Sequence, residues 1–253
     1  MVRAKKHLGQ HFLTDASVSQ RIAAAIQLTD SAKTVLEIGP GTGALTQFLL
    51  QDDRFNLHVV EVDSESIEYL NVHYPELAKN IHAEDFLQMD LNRITADPLV
   101  IVGNFPYNIS SQILFKILEN REHVPEMVGM FQREVARRVC SGPGSKEYGI
   151  LSVLLQTWYE CEYLFTIDEN AFRPPPKVKS GVMRMERKSD PPVVEDPDFF
   201  KKVIKTAFGQ RRKTLRNSLA SIGKVPEAFS GQRPEQLGFE QFIELSDAIR
   251  NQN

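Results

Sequence analysis

Short apolar runs alternate with helix-forming segments over the first half of this chain, and this alternation constrains the fold more than any other feature. The runs lie at 35–38, 58–62, 80–84, 99–102 and 127–131. Segments 44–50, 64–73 and 109–118 have helical periodicity and separate several of them. Such an order predicts an α/β fold, with a parallel sheet covered by helices on both faces. Two later runs, 163–167 and 181–187, have no long helix between them and predict an antiparallel pair at the sheet edge.

A proline-rich, acidic linker at 189–197 separates this region from the rest of the chain. The segments with helical patterns beyond it are 198–208, 213–222, 234–237 and 239–250. We therefore expect two domains, a sheet domain over 1–188 and a small all-helical domain over 189–253.

The basic residues are unevenly distributed along the chain. The formal net charge is −3, yet no acidic residue occurs between Phe199 and Pro226. The basic residues in that interval are Lys201, Lys202, Lys205, Arg211, Arg212, Lys213, Arg216 and Lys224. Such a density of positive charge predicts a phosphate-binding surface, and the alternative is a solvated helical face.

The composition is that of an ordinary globular chain, with 42% hydrophobic and 25% charged residues. No stretch approaches the roughly 20 apolar residues needed to span a bilayer. The two cysteines, Cys140 and Cys161, lie in apolar segments and indicate small core residues in a reducing compartment. We therefore expect a cytoplasmic monomer with no membrane partner and no metal site.

A glycine loop, Gly39-Pro40-Gly41-Thr42-Gly43, follows the first apolar run. The spacing Gly-x-Gly-x-Gly differs from the Gly-x-Gly-x-x-Gly that seats a pyrophosphate, and no Lys-Ser or Lys-Thr follows it as in a P-loop. A loop of this kind suits a nucleoside cofactor without phosphates, of which S-adenosylmethionine is the common one. It makes a nicotinamide-dependent oxidoreductase the least favoured enzyme class.

Acidic residues lie at or just after the ends of the next two runs. Glu61 ends the second run, where a carboxylate is placed to bind the hydroxyls of a ribose. Asp85 follows the third run and is placed to accept a hydrogen bond from an adenine amine. Each carboxylate alone is also compatible with a strand-end or helix-cap role. Ligands of open α/β sheets bind at the carboxyl ends of the strands, so both acids are expected at one crevice.

The segment Asn104-Phe105-Pro106-Tyr107 follows the apolar run 99–102 and precedes a helical pattern. It combines an amide oxygen, a backbone carbonyl and an aromatic face, which suit a flat ring with an exocyclic amino group. Asn104 and the Pro106 carbonyl would accept the amine hydrogens, and Tyr107 would stack on the ring. The alternative is a proline turn with a helix cap at Ser110 or Asn108. Together with the glycine loop, the segment predicts methyl transfer to a nucleobase amine.

Over nearly its whole length the chain resembles the small-subunit rRNA adenine dimethyltransferases. The segments that carry the resemblance are 8–13, 35–43, 104–111, 172–178 and 208–216. The glycine loop is common to many methyltransferases, whereas the last three segments together are specific to this family. Two residues differ from the usual family pattern, His11 where Asn often occurs and Phe105 where Leu is usual.

The resemblance implies a Rossmann-like S-adenosylmethionine-dependent methyltransferase sheet, followed by a helical RNA-contacting domain. It implies dimethylation of the N6 amines of two adjacent adenines near the 3′ end of small-subunit rRNA, within the assembling subunit. The cofactor residues implied are His11, Leu13, Gly39, Gly41, Glu61, Asp85 and Asn104. The catalytic residues implied are Asn104, Pro106, Tyr107 and Phe172, with Tyr107 and Phe172 on the two faces of the base. The RNA-binding residues implied are Lys177, Arg211, Arg212, Lys213 and Arg216.

Two alternatives share much of this pattern. An adenine methyltransferase of the erythromycin-resistance type, acting on large-subunit rRNA, has the same cofactor and the same Asn-x-Pro-Tyr logic. The segment from Gln210 to Asn217 favours the small-subunit enzyme instead. A non-catalytic ribosome-assembly factor is the other alternative, and an intact glycine loop with Glu61, Asp85 and Asn104 argues against it.

Overall fold

The computed structural model describes residues 2, 4–5, 8–27 and 32–252. The strands in this part of the chain are β1 (Phe12–Leu13), β2 (Thr34–Ile38), β3 (Asn56–Val60), β4 (Ile81–His82), β5 (Leu99–Asn104), β6 (Glu126–Gln132), β7 (Tyr159–Ile167), β8 (Phe172–Arg173) and β9 (Ser180–Arg187). The helices are α1 (Ala16–Ala24), α2 (Thr46–Leu49), α3 (Ser64–His73), α4 (Ser110–Glu119), α5 (Arg133–Cys140), α6 (Ile150–Trp158), α7 (Pro197–Gly209), α8 (Leu215–Ser218), α9 (Glu227–Ser230) and α10 (Phe239–Arg250).

Seven strands form one sheet in the order β4–β3–β2–β5–β6–β9–β7. The pairs from β4 to β6 are parallel, and β9 runs antiparallel to β6. The predicted, mainly parallel α/β sheet is therefore confirmed, with the two late strands side by side at one edge. Strand succession reverses at β2, which has β3 on one side and β5 on the other, so a crevice opens at their carboxyl ends.

The central strands are apolar because helices cover the sheet. All five residues of β2 are buried, as are the first five of β5. A parallel strand that is covered on both faces loses the alternation of polar and apolar residues. Glu37 in β2 is the exception, since it is an acid with only 2% of its surface exposed.

Helix boundaries follow local capping where a cap is present. The side chains of Asp15 and Asp63 accept the N–H groups of Ser17 and Glu65, at the starts of α1 and α3. The predictions at 64–73 and 239–250 match α3 and α10 in their bounds. The predicted helix at 213–222 is only the single turn of α8, and the chain turns back at 219–223 through N–H bonds to the Leu219 carbonyl.

The chain divides into two compact units. The first comprises Met1–Ala136 and Glu162–Arg187, and the second comprises Arg137–Cys161 and Lys188–Asn253. The segment 137–161, which the sequence analysis placed in the first domain, thus packs within the second unit. The physical reason is α6, whose residues are buried on nearly every side and need neighbouring helices to cover them. The domain limits 1–188 and 189–253 stay a prediction.

The second unit has its own helical core, which confirms the predicted helical C-terminal region. Trp158 of α6 meets Phe200 of α7 edge to face, with ring centroids 6.1 Å apart. The buried Tyr148 hydroxyl donates to the Leu237 carbonyl at 2.9 Å, and burial raises the pKa of this phenol. In the described part of the chain, no helix is long and apolar enough to cross a membrane.

Candidate active site

A cavity of about 360 Å³ lies in the first unit, at the carboxyl ends of β2, β3, β4 and β5. The loops after these strands form its walls, together with residues 8–13. The predicted site residues that line it are His11, Leu13, Gly39, Gly41, Glu61, Asp85, Asn104, Pro106 and Tyr107. The tertiary structure therefore brings together nine positions from five separate segments of the sequence.

The glycine loop shows why glycine is required after β2. Gly41 has a φ of +57°, in the left-handed region, and an added Cβ would lie 2.9 Å from the Phe12 ring. Its N–H donates to Glu61 Oε2 at 3.1 Å. A side chain at this position would both strain the backbone and separate the loop from β1, so the loop depends on glycine here.

Glu61 is held rigidly by backbone donors. Besides Gly41, the N–H groups of Val62 and Asp63 donate to Oε1 at 2.8 and 3.0 Å. Burial raises the pKa of Glu61, and the three N–H groups act in the opposite direction. A carboxylate offers about four acceptor positions, so about one remains in this arrangement for a hydroxyl in the cavity.

Glu37 also lines the cavity, and sequence reasoning assigned it no role. Burial raises the pKa of this carboxyl to about 8, against a hydrogen bond from Thr46 Oγ1 at 2.7 Å that acts in the opposite direction. The nearby Glu61 carboxylate adds to the rise. An acid inside the apolar run 35–38 was the signal in the sequence. In the structure it is a buried acid that keeps its proton at neutral pH.

Asp85 lines the same cavity and is exposed. Its Oδ1 accepts the Leu87 N–H at 2.9 Å, which forms a local turn. No described donor reaches Oδ2, so this oxygen is available to an amino group. Among the residues that the structure describes, no three His, Cys, Asp or Glu side chains lie together as a metal ion would require.

Asn104, the last residue of β5, presents a defined face of its amide to the cavity. Its Nδ2 donates to the His11 carbonyl at 2.9 Å. This hydrogen bond fixes the amide, because only the nitrogen can donate to a carbonyl. The remaining atom, Oδ1, has no donor among the described residues and is free to accept an N–H group from a ligand.

The two backbone carbonyls after Asn104 differ in availability. The Pro106 carbonyl already accepts the Ile109 N–H at 3.3 Å and the Ser110 hydroxyl at 3.4 Å. No described residue donates to the Phe105 carbonyl, although Phe105 also lines the cavity. The predicted role of Pro106 stays a prediction, and the Phe105 carbonyl is the less occupied acceptor.

Tyr107 and His11 form an aromatic pair at this corner. Their ring centroids are 5.6 Å apart, with an interplanar angle of 27°. His11 Nδ1 is 2.8 Å from the Pro174 carbonyl, so Nδ1 carries the proton. The Tyr107 hydroxyl is hydrogen-bonded to Ser180, a residue that sequence reasoning missed. His11, predicted for the cofactor, therefore also contacts the predicted target residue Tyr107.

Phe172 was predicted to stack on the base opposite Tyr107. It belongs to the hydrophobic core of the first unit and is 2% exposed. It lies in β8, which pairs with β1, and it is not among the residues that line the cavity. The predicted stacking role of Phe172 stays a prediction.

A network at the N-terminal segment was also missed. Lys5 Nζ contacts the Asp63 carboxylate, and Gln10 Nε2 donates to the same carboxylate at 3.3 Å. The Lys5 ammonium and Gln10 amide hold the pKa of Asp63 below its usual range, against the burial that raises it. The segment that crosses the cavity is thus tied to the start of α3, two residues after Glu61.

The predicted RNA-binding residues lie outside this cavity. Lys177 is exposed in the first unit, in the loop between β8 and β9. In the second unit, Arg212 and Lys213 are exposed. Arg211 donates to the Ser145 carbonyl at 3.1 Å, and Arg216 pairs with Glu227 at 3.2 Å. The last two guanidinium groups therefore already have protein partners.

The family described as ribosomal RNA adenine dimethylase matches residues 1–234 of this chain. Two curated relatives carry the name ribosomal RNA small subunit methyltransferase A. The relative from Flavobacterium johnsoniae is 54% identical over 253 residues, which covers 98% of this chain and 96% of the relative. The relative from Bacteroides thetaiotaomicron is 53% identical over 255 residues, which covers 98% of this chain and 95% of the relative.

Solved structures agree with the fold. The 23S rRNA methyltransferase ErmE superposes with a TM-score of 0.74 at 26% identity, and the match covers 94% of this chain and 99% of ErmE. A dimethyladenosine transferase from Plasmodium falciparum superposes with a TM-score of 0.81 at 22% identity, over 95% of this chain and 98% of its own. The second comparison bears on the fold alone.

Proposed function

The chain belongs to the ribosomal RNA adenine dimethylase family, and from this membership we propose how its site acts. The protein is an S-adenosylmethionine-dependent methyltransferase that dimethylates the N6 amines of two adjacent adenines near the 3′ end of small-subunit 16S rRNA. The observation that carries the proposed site is the fixed amide of Asn104, whose free Oδ1 lies in the cavity wall.

The residues at the cavity fit S-adenosylmethionine. Glu61 offers an acceptor position to a ribose hydroxyl, and Asp85 offers Oδ2 to the adenine amine. Gly39, where an added Cβ would meet nothing within 4 Å, leaves room for the cofactor to approach the backbone, and Leu13 supplies an apolar wall. When bound, the cofactor supplies an electrophilic methyl group on a positively charged sulfur.

The task of the protein at the target amine is alignment. The amine nitrogen is a weak nucleophile because its lone pair is delocalised into the ring. Asn104 Oδ1 and a backbone carbonyl at Phe105 or Pro106 accept its hydrogens and favour a pyramidal nitrogen whose lone pair points at the methyl group. Orientation and preorganised acceptors of this kind are worth several kcal/mol. The second methylation uses the same nitrogen with one hydrogen left, so the pocket must also accept N-methyladenine.

The adenine must leave its helix or loop to reach this corner. The ring of Tyr107 lines the cavity and supplies a stacking surface next to His11. Stacking contributes roughly 1–3 kcal/mol per base, which offsets part of the cost of unstacking the adenine. Of the two predicted stacking residues, Tyr107 is the one that lines the cavity, and we assign it to the target base.

The small-subunit assignment is supported by relatives at 53–54% identity with that name. The structural similarity to ErmE, a 23S rRNA methyltransferase, supports the alternative substrate, but at 26% identity. We propose the assembling small subunit as partner, with Lys177, Arg211, Arg212, Lys213 and Arg216 on its RNA. We also propose that the protein acts as a monomer in the cytoplasm, where the ribosomal subunits are assembled.

The test offers radiolabelled S-adenosylmethionine with small and large ribosomal subunits that lack adenine dimethylation. We expect label on small-subunit RNA, released as dimethyladenosine on digestion, and loss of that label with Asn104→Ala. The matched control is Asn120→Ala, since Asn120 Nδ2 likewise donates to a backbone carbonyl, that of Lys116, at 2.8 Å, but away from the cavity. Label only on large subunits would overturn the substrate, and no label with intact cofactor binding would indicate an assembly factor.

A further inference from the structure

Ser180 joins the start of β9 to the corner that holds the target amine. It is fully buried and lies opposite Gln132 in the register of β6 and β9. Its Oγ is 2.5 Å from the Tyr107 hydroxyl oxygen, in a hydrogen bond that either group can donate. A core serine of one strand is thus the partner of the proposed stacking residue.

The sheet fixes the position of the Ser180 hydroxyl. β9 pairs with β6 continuously from Ser180 to Glu186. At the next residue, Gly181, an added Cβ would lie 2.8 Å from the Tyr163 ring and 3.1 Å from the Ala136 Cβ. The backbone is therefore in close contact with its neighbours here, and the Oγ of Ser180 cannot shift without moving the strand.

The hydrogen bond to Ser180 restrains the position of the Tyr107 ring. Tyr107 opens a 3₁₀ turn, Tyr107–Ile109, whose N-cap residue Pro106 makes no side-chain capping bond. The ring contacts His11 at 5.6 Å between centroids. A hydrogen bond at the phenol oxygen restrains χ1, because this oxygen lies on the χ2 axis and moves only when χ1 changes. Ser180 therefore fixes where the ring lies.

We infer that Ser180 is a positioning residue for methyl transfer, because its hydroxyl holds the Tyr107 ring at the place where the target adenine stacks. The inference rests on the proposed function, in which Tyr107 receives the base. Ser180 is not among the residues that line the cavity, so it acts through Tyr107. A ring that is already oriented loses less conformational freedom when the base binds.

Two substitutions remove the same hydrogen bond from opposite ends. Ser180→Ala and Tyr107→Phe both keep the aromatic ring, and Tyr107→Phe leaves the strand core untouched. In single-turnover methylation of small subunits that lack adenine dimethylation, we expect each variant to lower kcat/KM about threefold to tenfold, as for one hydrogen bond. The double variant is expected to lose no more than either single variant, because the bond can be lost only once. The affinity for S-adenosylmethionine, measured by calorimetry, is expected to stay within about twofold of wild type.

Ser152→Ala is the matched control. Ser152 is a fully buried serine of the second unit, and its hydroxyl donates to the Arg138 carbonyl. It should lose stability like Ser180→Ala and keep the wild-type methylation rate. Wild-type rates in Ser180→Ala, multiplied losses in the double variant, or a parallel loss of cofactor affinity would each overturn the inference. Each of these three results concerns the variants and presupposes that the wild-type protein methylates small subunits. If the wild-type protein does not methylate them, the proposed function itself is refuted.

Discussion

At the scale of single residues, the cavity contains two acids with different surroundings. Three backbone N–H groups surround the Glu61 carboxylate, so its charge is compensated within the loop. Glu37 has one hydroxyl donor and is buried to 2% exposure. Burial raises the pKa of both acids, and that of Glu37 reaches about 8. Three backbone N–H groups therefore oppose the effect of burial on Glu61, whereas one hydroxyl donor opposes it on Glu37.

The substitution Glu37→Gln tests whether Glu37 is protonated in the folded protein, through the pH dependence of the free energy of unfolding. The folded pKa of about 8 lies above the ordinary value of 4.5, so wild type takes up its proton on folding between these pH values. The contribution of Glu37 to the free energy of unfolding is fully present below pH 4.5. It falls as the pH rises to about 8, by about 1.4 kcal/mol per pH unit. The variant should thus gain stability relative to wild type across this window, in urea unfolding at several pH values.

Glu244→Gln, on the exposed surface of α10, controls for the removal of one carboxylate. A stability difference between wild type and Glu37→Gln that does not change with pH would contradict the buried, protonated state.

Glu61→Gln is expected to weaken binding of S-adenosylmethionine by about tenfold or more. The amide puts an NH₂ group where backbone N–H groups donate, and an unsatisfied buried donor costs about 1–3 kcal/mol. Calorimetric titration with the cofactor measures the loss, and Glu65→Gln, at an exposed position of α3, is the control. Unchanged cofactor affinity would remove Glu61 from the proposed ribose site.

At the scale of secondary-structure elements, the target corner is supported by a slot between β5 and β6. An added Cβ on Gly129 would lie 2.0 Å from the Phe105 ring, and one on Gly103 would lie 2.9 Å from it. The ring also packs against Phe131, with centroids 4.8 Å apart. Two glycines on adjacent strands thus admit a large ring directly after Asn104, which explains how this chain accommodates Phe105 in place of the more usual Leu.

Gly129→Ala should therefore overpack the slot and destabilise the protein by roughly 1–3 kcal/mol. In the Gly129→Ala background, Phe105→Leu should recover part of the loss, because the smaller side chain leaves room for the new methyl group. Urea unfolding of the four proteins in this cycle measures the coupling. Gly209→Ala is the control, since its added Cβ would meet nothing within 4 Å. Strictly additive effects would show that the slot does not constrain Phe105.

The elements also show how far the sequence alone was informative. Strands β2 and β5 and helices α3 and α10 were predicted because their patterns or caps are local. Helices α5 and α6 were not predicted. Seven of the nine residues of α6 are buried, so its sequence has few polar positions that mark an exposed face. The burial of Phe172 was not predicted, because its aromatic chemistry suits both a core and a stacking role.

At the scale of the whole molecule, the substrate requires more contacts than the cavity provides. Ribosomal RNA is bound largely through its phosphates, and basic residues on each unit are available for this. The acid-free interval from Phe199 to Pro226 belongs to the second unit and includes the exposed Arg212 and Lys213. Arg216 is paired with Glu227, so its charge is partly compensated within the protein.

Replacing Arg212 and Lys213 together by Gln should weaken RNA binding and reduce the slope of log affinity against log salt by about 1–2. Filter binding to the 3′ segment of small-subunit rRNA at several salt concentrations measures this slope. Lys33→Gln with Lys79→Gln removes the same charge from exposed positions of the first unit and is the control. An equal change in both double variants would indicate a general charge effect and not a specific surface.

The sequence by itself determined the α/β class, the family and the positions of the cofactor and target motifs, because each depends on residues close together in the chain. The tertiary structure decided which atoms those motifs present. Asn104 offers its oxygen because the His11 carbonyl, 93 residues away, takes its nitrogen. The Tyr107 hydroxyl is hydrogen-bonded to Ser180, 73 residues away, and Phe172 is buried in the core. Contacts between distant segments arise only when the chain packs, so no local pattern encodes them.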